Sequence, residues 1–340
     1  MKFRSPSGEP LLRIRYADSS TSILDIVQNS DDLVFQKTFL ARSHIRIAIK
    51  SFLDRCDLVL PAIHKFANFT AHCMSEAVSR GYITPKNNVF GRFIPAGVCM
   101  AQNAYGHQPS HIQRYICFYT AFLVYLDDMF GNNIDAVQQF NHRFLTRQPQ
   151  ATDLLGHFAN SLLEMPTLFG AIAGNLMTTS TLNLVTALLV ENEFKDIKLE
   201  DLAYRFPTFS RVMSGASETY ALFIFPVGQP VPHFLQALPD LMVFINNGND
   251  ILSFYKEQLA KETVNRVYLT AQCRSVSQAV ILQELIDEAA EAHKRILRIL
   301  EPHKSVYESY IAFSQGYIGF HFGLDRYKLR ELDLHTQDCF

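Results

Sequence analysis

The sequence predicts an all-α fold with a single helical domain, and three observations lead to this prediction. Apolar residues recur at three- and four-residue spacing along several segments, whereas the alternation typical of strands is scarce. The 340-residue chain holds only 15 Gly and 14 Pro, fewer than average usage, which argues against a many-turned β architecture. Linkers rich in Gly and Ser, internal repeats and low-complexity tracts are absent from the sequence, which favours one domain.

The first long helix is predicted to begin at Ser110, which has the spacing of a capping box with Gln113, and to end at Gly131. Its middle is apolar on almost every side, so it belongs inside a helical bundle. Asp127 and Asp128 fall at its predicted C-terminal end, where the helix dipole disfavours negative charge. We therefore expect a cationic group close to these two aspartates.

Two further helical segments lie downstream. The segment between Pro207 and Pro226 is predicted to be broken in its middle by Gly215, because glycine is tolerated at a helix break. The next helix is predicted after Pro239, with Asp240 as its N-cap, and it contains the sequence LMVFINNGNDILSFYKEQLAKE.

The clearest periodicity covers residues 279–300, where charged residues separate apolar residues that recur at three- and four-residue steps. The apolar positions are Leu282, Leu285, Ile286, Ala289, Ile296, Leu297 and Leu300. This pattern predicts an amphipathic helix that packs on one side.

Composition restricts the functional classes. With 31 Lys and Arg against 33 Asp and Glu, the net charge of −2 is too balanced for a protein that binds nucleic acid or an anionic membrane surface. No apolar run approaches the roughly 18 residues of a membrane span, and charges interrupt the start of the chain. The six cysteines are far apart in the sequence, which favours reduced thiols. We expect a cytoplasmic protein with a flexible segment at 1–20 and the helical domain at 21–340.

Asn249, Ser253 and Glu257 in NDILSFYKE lie four residues apart, so they share one helix face. Amide, hydroxyl and carboxylate oxygens suit Mg²⁺ better than Zn²⁺ or copper, and Mg²⁺ usually takes further ligands from substrate phosphates. Lys256 is placed to reach a diphosphate oxygen. Taken alone, the pattern also fits a solvated helix face, and an Asp-Asp pair alone fits a helix-ending turn.

Together these motifs resemble those of the class I terpene synthases, most closely the fungal trichodiene-synthase-like sesquiterpene synthases. The resemblance rests on Asp127 and Asp128 in one core helix, NDILSFYKE downstream and DRY near the C-terminus, and it covers roughly residues 100–330. It implies an all-α bundle around an apolar active-site cavity, in which two metal motifs hold three Mg²⁺ ions that bind the substrate diphosphate.

The resemblance also implies a role for each matched residue. The metal ligands are Asp127, Asn249, Ser253 and Glu257. The groups that bind diphosphate are Arg211, Lys256, Arg326 and Tyr327. In PTFSRVMSG, Arg211 matches the diphosphate-sensing arginine, Ser214 the linker, and Gly215 the effector residue at the helix break. The family often has a further acidic residue after the first pair, whereas this chain reads DDMFGNN, which leaves the role of Asp128 open.

The activity implied by the resemblance is that of a Mg²⁺-dependent lyase that ionises farnesyl diphosphate and cyclises the carbocation to a sesquiterpene. An apolar wall would exclude water, and aromatic faces would stabilise the cation. The candidates for this wall are Tyr119, Thr120, Leu123 and Phe320. Phenyl rings are its expected surface because the chain has 27 Phe and no Trp, although core packing accounts for most of them. Geranyl diphosphate as the substrate and a homodimeric state stay open.

Two other functions fit the same fold. A chain-elongating prenyltransferase would carry two aspartate-rich motifs, and NDILSFYKE in place of the second argues against it. A catalytically silent helical scaffold would not need metal-type and diphosphate-type side chains together. Histidine and cysteine offer no competing metal motif, and neither a Gly-rich phosphate loop nor a nucleophile elbow is present in the sequence.

Overall fold

The computed structural model describes residues 39–334 apart from 63 and 196, together with all of their side chains except that of residue 133. Within this range the regular structure is helical, and the β structure is limited to one isolated bridge between Thr84 and Asn87. The all-α prediction is confirmed. From Leu40 onward the chain forms one compact unit, while the predicted segment 1–20 lies outside the described residues.

The α-helices are numbered here in chain order over the described residues. They are α1 (Arg42–Arg55), α2 (Ala67–Ser79), α3 (Ile94–Asn103), α4 (Ser110–Leu145), α5 (Asp153–Phe169), α6 (Ala171–Phe194), α7 (Phe206–Ser214), α8 (Ser217–Leu222), α9 (Leu238–Leu259), α10 (Arg266–Arg274), α11 (Gln278–Leu300) and α12 (Lys304–Gly323). Two short 3-10 turns, Asp325–Tyr327 and Leu329–Leu332, follow α12.

Helix α4 is longer than the sequence predicts. It begins at Ser110 as expected, but it passes Gly131 without interruption and spans 36 residues, a length of about 54 Å. A glycine inside a helix costs only about 1 kcal/mol relative to alanine. The burial of Val137 and Phe140 beyond it contributes more, at roughly 1.5–3 kcal/mol for each side chain, so the helix continues.

The predicted capping devices at two helix starts do not form. Pro109 is the N-cap of α4. The Gln113 side-chain oxygen accepts from Gln102 Nε2 instead of from the Ser110 backbone N–H, and the Gln113 amide nitrogen donates to the Gly106 and Gln108 carbonyls. Helix α9 starts at Leu238, so Asp240 lies in its first turn, where it pairs with Arg295.

The broken segment and the amphipathic helix agree with the sequence predictions. Helices α7 and α8 are separated by Gly215 and Ala216, and Ala216 is left-handed with φ 45° and ψ 28°. Helix α11 covers Gln278–Leu300 and buries the predicted apolar stripe apart from Leu297, which is partly buried. It packs along α9, and α4 packs against α3, α5 and α6.

Close helix contacts depend on small residues. A Cβ at Gly97 of α3 would lie 2.0 Å from the carbonyl oxygen of Cys117 in α4, far inside van der Waals contact, so glycine is required where these two helices cross.

The described cysteines, Cys56, Cys73, Cys99, Cys117 and Cys273, are free and buried.

Among the described helices, α6 alone is long and apolar enough to cross a membrane. Half of its most apolar 18-residue stretch is buried inside the protein. Helix α6 contacts α4, α5, α7 and α8. These contacts are those of a core helix.

Candidate active site

A cavity of about 590 Å³ opens between α4, α6, α7, α9 and the Asp325–Tyr327 turn. Apolar side chains line it together with six carboxylates and four cations. The carboxylates are Asp127, Asp128, Glu191, Asp250, Glu257 and Glu262. The cations are Arg211, Lys256, Arg266 and Arg326. The wall therefore carries an excess of formal negative charge.

The cavity brings together nearly all residues that the sequence singles out, although they come from distant parts of the chain. Its lining includes Asp127, Asp128, Arg211, Ser214, Gly215, Asn249, Ser253, Lys256, Glu257, Arg326 and Tyr327. Three of the four predicted wall residues, Thr120, Leu123 and Phe320, also line it.

Tyr119 lies behind the cavity wall, which corrects its predicted place in the lining. Its side chain is fully buried, its hydroxyl is hydrogen-bonded to Thr181 Oγ1 at 2.9 Å, and its ring meets Phe223 edge to face. Thr120 and Leu123 occupy the cavity face of α4. Tyr119 is rotated about 100° from Thr120 around the helix axis, so it points into the bundle.

Arg326 is the cationic partner expected for the two aspartates of α4. Its Nη1 donates to Asp128 Oδ1 and Oδ2 at 2.8 and 2.9 Å, and its Nη2 donates to Asp127 Oδ2 at 3.1 Å. The aspartates lie in the middle of α4, so this arginine offsets the repulsion between neighbouring carboxylates rather than an unfavourable helix dipole. The Asp127 side chain is 61% exposed and that of Asp128 is 37% exposed, which makes Asp127 the more accessible carboxylate.

Ser253, Lys256 and Glu257 form a contiguous polar group on α9. Ser253 Oγ donates to Glu257 Oε1 at 2.5 Å, and Lys256 Nζ lies 3.7 Å from the same oxygen and 3.6 Å from Glu262 Oε1. Burial raises the pKa of Glu257 to about 7, against the lowering effects of Lys256 and Ser253. A bound cation would favour the ionised carboxylate at this position.

Arg211 bridges the broken helix and α9. Its Nε donates to Asp250 Oδ1 at 2.6 Å, and its Nη2 donates to Asn249 Oδ1 at 3.0 Å. Burial acts to lower the pKa of the Arg211 guanidinium, but the charge of Asp250 and its hydrogen bond together raise that pKa. Arg211 therefore stays charged at the edge of the cavity.

Asp250 is shared between two arginines. Its second oxygen, Oδ2, lies 3.3 Å from Arg266 Nη1, and the same nitrogen donates to Asn247 Oδ1 at 2.7 Å. The three charged side chains are between 9 and 16% exposed. This largely buried network holds α7, α9 and α10 together beside the cavity.

His321, which does not line the cavity, contacts the side chain of Asn249, the predicted metal ligand. Its Nε2 lies 3.2 Å from Asn249 Nδ2, and its Nδ1 lies 2.9 Å from the Tyr317 carbonyl oxygen. Burial lowers the pKa of His321 to about 4, so the ring is neutral at physiological pH.

The helix break leaves no room for a larger residue than glycine. A Cβ at Gly215 would lie 2.1 Å from Asn246 Oδ1 and 2.9 Å from Arg211 Nη1. Asn246 Oδ1 is buried without a hydrogen-bond partner among the described residues, while its Nδ2 donates to Ser217 Oγ. The left-handed Ala216 next to it is a strained conformation that costs about 1–3 kcal/mol.

The aromatic part of the wall differs from the phenyl surface that the composition predicts. Four aromatic residues line the cavity, and three of them are tyrosines: Tyr220, Tyr317 and Tyr327, with Phe320 as the fourth. Many phenylalanines are fully buried, among them Phe122 and Phe158, and pack inside the bundle instead.

The family described as Trichodiene synthase (TRI5) matches residues 58–338 of the chain. The chain belongs to the trichodiene synthase family. The alpha-cuprenene synthase COP6 of Coprinopsis cinerea is 30% identical over 291 residues, which cover 85% of this chain and 90% of that relative. Monoterpene synthase 25 of Postia placenta is 31% identical over 292 residues, which cover 84% of this chain and 85% of that relative.

A solved structure supports the same fold. The linalool/nerolidol synthase from Streptomyces clavuligerus, in complex with 2-fluorogeranyl diphosphate, has a TM-score of 0.59 at 12% identity, and the match covers 78% of this chain and 98% of that chain. At that identity the similarity is one of fold. This trichodiene synthase family member thus has the all-α fold of a class I terpene synthase, and terpene synthases are lyases.

Several polar residues that line the cavity of this trichodiene synthase family member, or contact a residue that does, were not assigned from the sequence. Asp250 follows Asn249 directly, so the motif itself contains the signal for it. Arg266 and Glu191 lie in other helices, and no local pattern links them to the cavity. His321 lies five residues before Arg326 on an apolar helix, where a histidine needs a polar partner; that need is the signal that could have identified it.

Proposed function

We propose that the chain is a Mg²⁺-dependent terpene cyclase that ionises farnesyl diphosphate and cyclises the carbocation to a sesquiterpene. The bond that breaks joins C1 of the allylic chain to the diphosphate oxygen, and its electron pair leaves with the diphosphate. The cyclised cation would then lose a proton to give a hydrocarbon, or add water and lose a proton to give an alcohol. Family membership supports a terpene synthase. The cavity supports the finer assignment because it combines oxygen ligands, cations and an apolar wall.

The charge of the cavity wall is the observation that carries the metal-dependent proposal. Six carboxylates and four cations line the cavity, so the wall by itself would repel a substrate that carries a negatively charged diphosphate. Divalent cations held by these carboxylates would reverse this balance, which accounts for carboxylates in the lining of a site for an anion.

The side chains that two helices contribute to the cavity lining fit Mg²⁺. Asp127 on α4 and the row Asn249, Ser253 and Glu257 on α9 supply only oxygen ligands, which Mg²⁺ prefers. This proposed ligand set combines carboxylates with the amide of Asn249 and the hydroxyl of Ser253. When bound, Mg²⁺ would neutralise diphosphate charge and so stabilise the leaving group.

The cations of the cavity would bind and orient the diphosphate. Arg211, Lys256 and Arg326 line the cavity and carry N–H donors, and Tyr327 adds a hydroxyl. Donors fixed before the reaction stabilise charge that develops on a leaving group more effectively than mobile water does. Arg211 would in addition couple diphosphate binding to the helix break four residues later.

The remaining wall would protect and fold the carbocation. Leu123, Tyr220 and Phe320 are apolar or aromatic faces of the cavity, and each aromatic face in van der Waals contact with a cation contributes roughly 0.5–2 kcal/mol. The interruption between α7 and α8 at Gly215 would free a backbone carbonyl from helical hydrogen bonding, and such a dipole near the same space would stabilise positive charge further. Water would have little access to a cation held there.

Farnesyl diphosphate is the proposed substrate, and geranyl diphosphate is the alternative. A cavity of about 590 Å³ lies within the range of about 300–1,000 Å³ for small-molecule sites, and it admits either chain. The two curated relatives described above have similar identities, and one of them is a monoterpene synthase. A C15 substrate is proposed because the motifs resemble those of sesquiterpene synthases.

We further propose that the enzyme works in the cytoplasm on a small-molecule prenyl diphosphate, without nucleic acid or a membrane as partner. The balanced charge of −2 supports this setting. A homodimer is left to measurement by light scattering after size-exclusion chromatography.

The decisive experiment incubates purified full-length protein with C10, C15 and C20 prenyl diphosphates, with Mg²⁺ or with EDTA, and analyses the volatile products. We expect a cyclic C15 hydrocarbon or alcohol that requires Mg²⁺. A C10 product alone would establish the geranyl diphosphate alternative. A longer prenyl diphosphate formed on addition of isopentenyl diphosphate would identify a chain-elongating enzyme, and the lack of any product would leave a scaffold.

Variants at the metal motif test the site. Asn249→Ala and Glu257→Ala should each lose at least 100-fold in turnover while circular dichroism shows a folded helical protein. Glu308→Ala is the matched control, because this glutamate is 64% exposed on α12 and does not line the cavity. Near-normal turnover in both motif variants would rule out the metal assignment even if the enzyme makes a terpene.

A further inference from the structure

His321 is a fully buried polar residue that lines no part of the cavity, yet it touches a residue that does. It lies in the last turn of α12 with no measurable exposure, and both of its ring nitrogens have partners. One partner is the Tyr317 carbonyl oxygen, and the other is the side-chain amide nitrogen of Asn249. At a buried position that only fills space, a histidine costs more free energy than an apolar residue, because its ring nitrogens need hydrogen-bond partners.

The two contacts determine which nitrogen of the ring carries hydrogen. A carbonyl oxygen can only accept, so His321 Nδ1 carries the hydrogen and donates to Tyr317. In the neutral ring Nε2 is then an acceptor. The group opposite Nε2 must be a donor, and the Asn249 Nδ2 amide meets that requirement at 3.2 Å.

The same reasoning fixes the orientation of the Asn249 amide from its other side. Arg211 can only donate, and its Nη2 lies 3.0 Å from Asn249 Oδ1. A rotation of the amide by 180° would place two donors together at Arg211 and two acceptors together at His321. The oxygen of Asn249 is therefore directed away from α12 by two independent contacts.

We propose that His321 is a positioning residue that keeps the carbonyl oxygen of Asn249 directed toward the metal site. An asparagine binds Mg²⁺ only through this oxygen, and an amide that turned freely would present its nitrogen for part of the time. This inference rests on the proposed function, in which Asn249 is a metal ligand. His321 would touch neither substrate nor metal, and it would act through Asn249.

The surroundings of His321 suit this role. The ring lies against Tyr317, Phe320 and Tyr327, with ring centroids 4.6, 4.9 and 4.5 Å away. Three aromatic neighbours leave the imidazole little freedom to rotate, so the position of Nε2 is fixed by packing as well as by the Tyr317 carbonyl. Tyr327 belongs to the proposed diphosphate site, and His321 therefore links that tyrosine to the metal motif.

The first test measures Mg²⁺ binding rather than turnover. His321→Leu and His321→Gln are titrated with Mg²⁺ in the presence of inorganic pyrophosphate, and the half-saturating Mg²⁺ concentration is read from thermal unfolding and calorimetry. Partners of metal ligands typically change metal affinity 10–100-fold, so the Leu variant should need at least 10-fold more Mg²⁺. The Gln variant, whose amide oxygen replaces the Nε2 acceptor, should recover most of this loss. Equal losses in the two variants would overturn the proposal.

The second test separates orientation from general packing. In Asn249→Asp the side chain has two equivalent oxygens, so there is no amide left to orient. His321→Leu in this background should then shift the half-saturating Mg²⁺ concentration less than 3-fold. A shift as large as in the Asn249 background would mean that His321 only supports the fold, and it would overturn the proposal.

Failure of the proposed function gives a different result. If the unaltered protein shows no Mg²⁺-dependent change with pyrophosphate, the metal assignment fails first and the role of His321 fails with it. If Asn249→Asp itself does not bind Mg²⁺ measurably, the proposal is judged by the half-saturating Mg²⁺ concentration of His321→Leu divided by that of His321→Gln. A ratio of about 3 or more supports the proposal, and a smaller ratio overturns it.

Discussion

Arg326 binds Asp128 through both carboxylate oxygens, with Nη1 at 2.8 Å from Oδ1 and 2.9 Å from Oδ2. The two residues are 198 positions apart in sequence, so this contact ties the C-terminal segment to the middle of α4. The neighbouring Asp127 accepts a hydrogen bond from Arg326 through only one of its carboxylate oxygens. The pair of aspartates therefore divides into one residue held by arginine and one that is more accessible to a metal.

This division predicts that Asp127→Asn and Asp128→Asn have different kinetic signatures. Asp127→Asn should raise the half-saturating Mg²⁺ concentration at least 10-fold, because it weakens a proposed metal ligand. Asp128→Asn should raise the KM for prenyl diphosphate about 10-fold, because Arg326 loses its charged anchor, while the Mg²⁺ requirement changes less than 3-fold. Steady-state kinetics at varied Mg²⁺ and substrate give both values. Arg330→Lys in the same C-terminal segment is the control, and identical signatures for the two aspartates would refute the division.

The second prediction concerns the helix break. Gly215→Ala should destabilise the protein by about 1–3 kcal/mol and impair catalysis, because the new Cβ would overlap Asn246 Oδ1 at 2.1 Å. Asn246→Ala in the same chain should restore part of the stability, since it removes that atom. The restoration is partial because the Arg211 carbonyl oxygen, at 3.0 Å, remains. Urea unfolding of the two single variants and the double variant measures the coupling, and strict additivity would show that the two side chains do not meet.

The third prediction contrasts two ion pairs on α9. Asp250→Asn leaves the guanidinium groups of Arg211 and Arg266 without their shared carboxylate, and breaking a buried pair typically costs about 3–5 kcal/mol. Asp240→Asn on the same helix should cost less than about 1 kcal/mol, because its partner Arg295 is 52% exposed. Both values come from denaturant unfolding of the metal-free protein. Equal costs would contradict the network described around Asp250.

The fourth prediction concerns acid stability. His293 is buried with its Nδ1 against the Tyr310 hydroxyl, and burial lowers the pKa of His293 to about 4 from its ordinary 6.5. Between these values the unfolded chain binds more protons than the folded one, so stability falls as pH decreases from about 6.5 to 4. This one residue should account for about 2 kcal/mol of the loss between pH 7.5 and pH 5.

His293→Gln tests the acid effect, because glutamine can accept a hydrogen bond from Tyr310 but does not titrate. The free energy of unfolding of this variant should decrease by about 2 kcal/mol less than that of the unaltered protein between the two pH values. The matched control is His111→Gln at an exposed position of α4. The same pH dependence in all three proteins would exclude His293 as the cause.

The sequence predicts best those features that depend on neighbouring residues. The four-residue spacing of Asn249, Ser253 and Glu257 fixes a common helix face whatever surrounds the helix. The break at Gly215 is equally local, because a glycine between two prolines marks it. Both features lie at the cavity.

Features that depend on tertiary contacts could not be predicted in the same way. Local helix propensity predicts that α4 ends at Gly131. The helix continues because residues after Gly131 bury apolar side chains. Tyr119 and Thr120 are adjacent on one helix, and only the packing of its neighbours decides which of them faces the cavity. The contact between His321 and Asn249 joins residues 72 positions apart, for which no single-sequence pattern exists.

The tyrosine-rich wall has a consequence for the durability of the catalyst. A carbocation alkylates exposed nucleophiles, and a phenolate is a good one. The Tyr317 hydroxyl donates to the Ile245 carbonyl at 2.9 Å, and that of Tyr220 donates to Thr120 at 3.1 Å. Burial raises the pKa of both phenols well above 10, so neither forms phenolate. In the proposed reaction the rings would offer their faces to the cation while their oxygens are turned to the protein, and this arrangement would protect the enzyme from inactivation by its own intermediate.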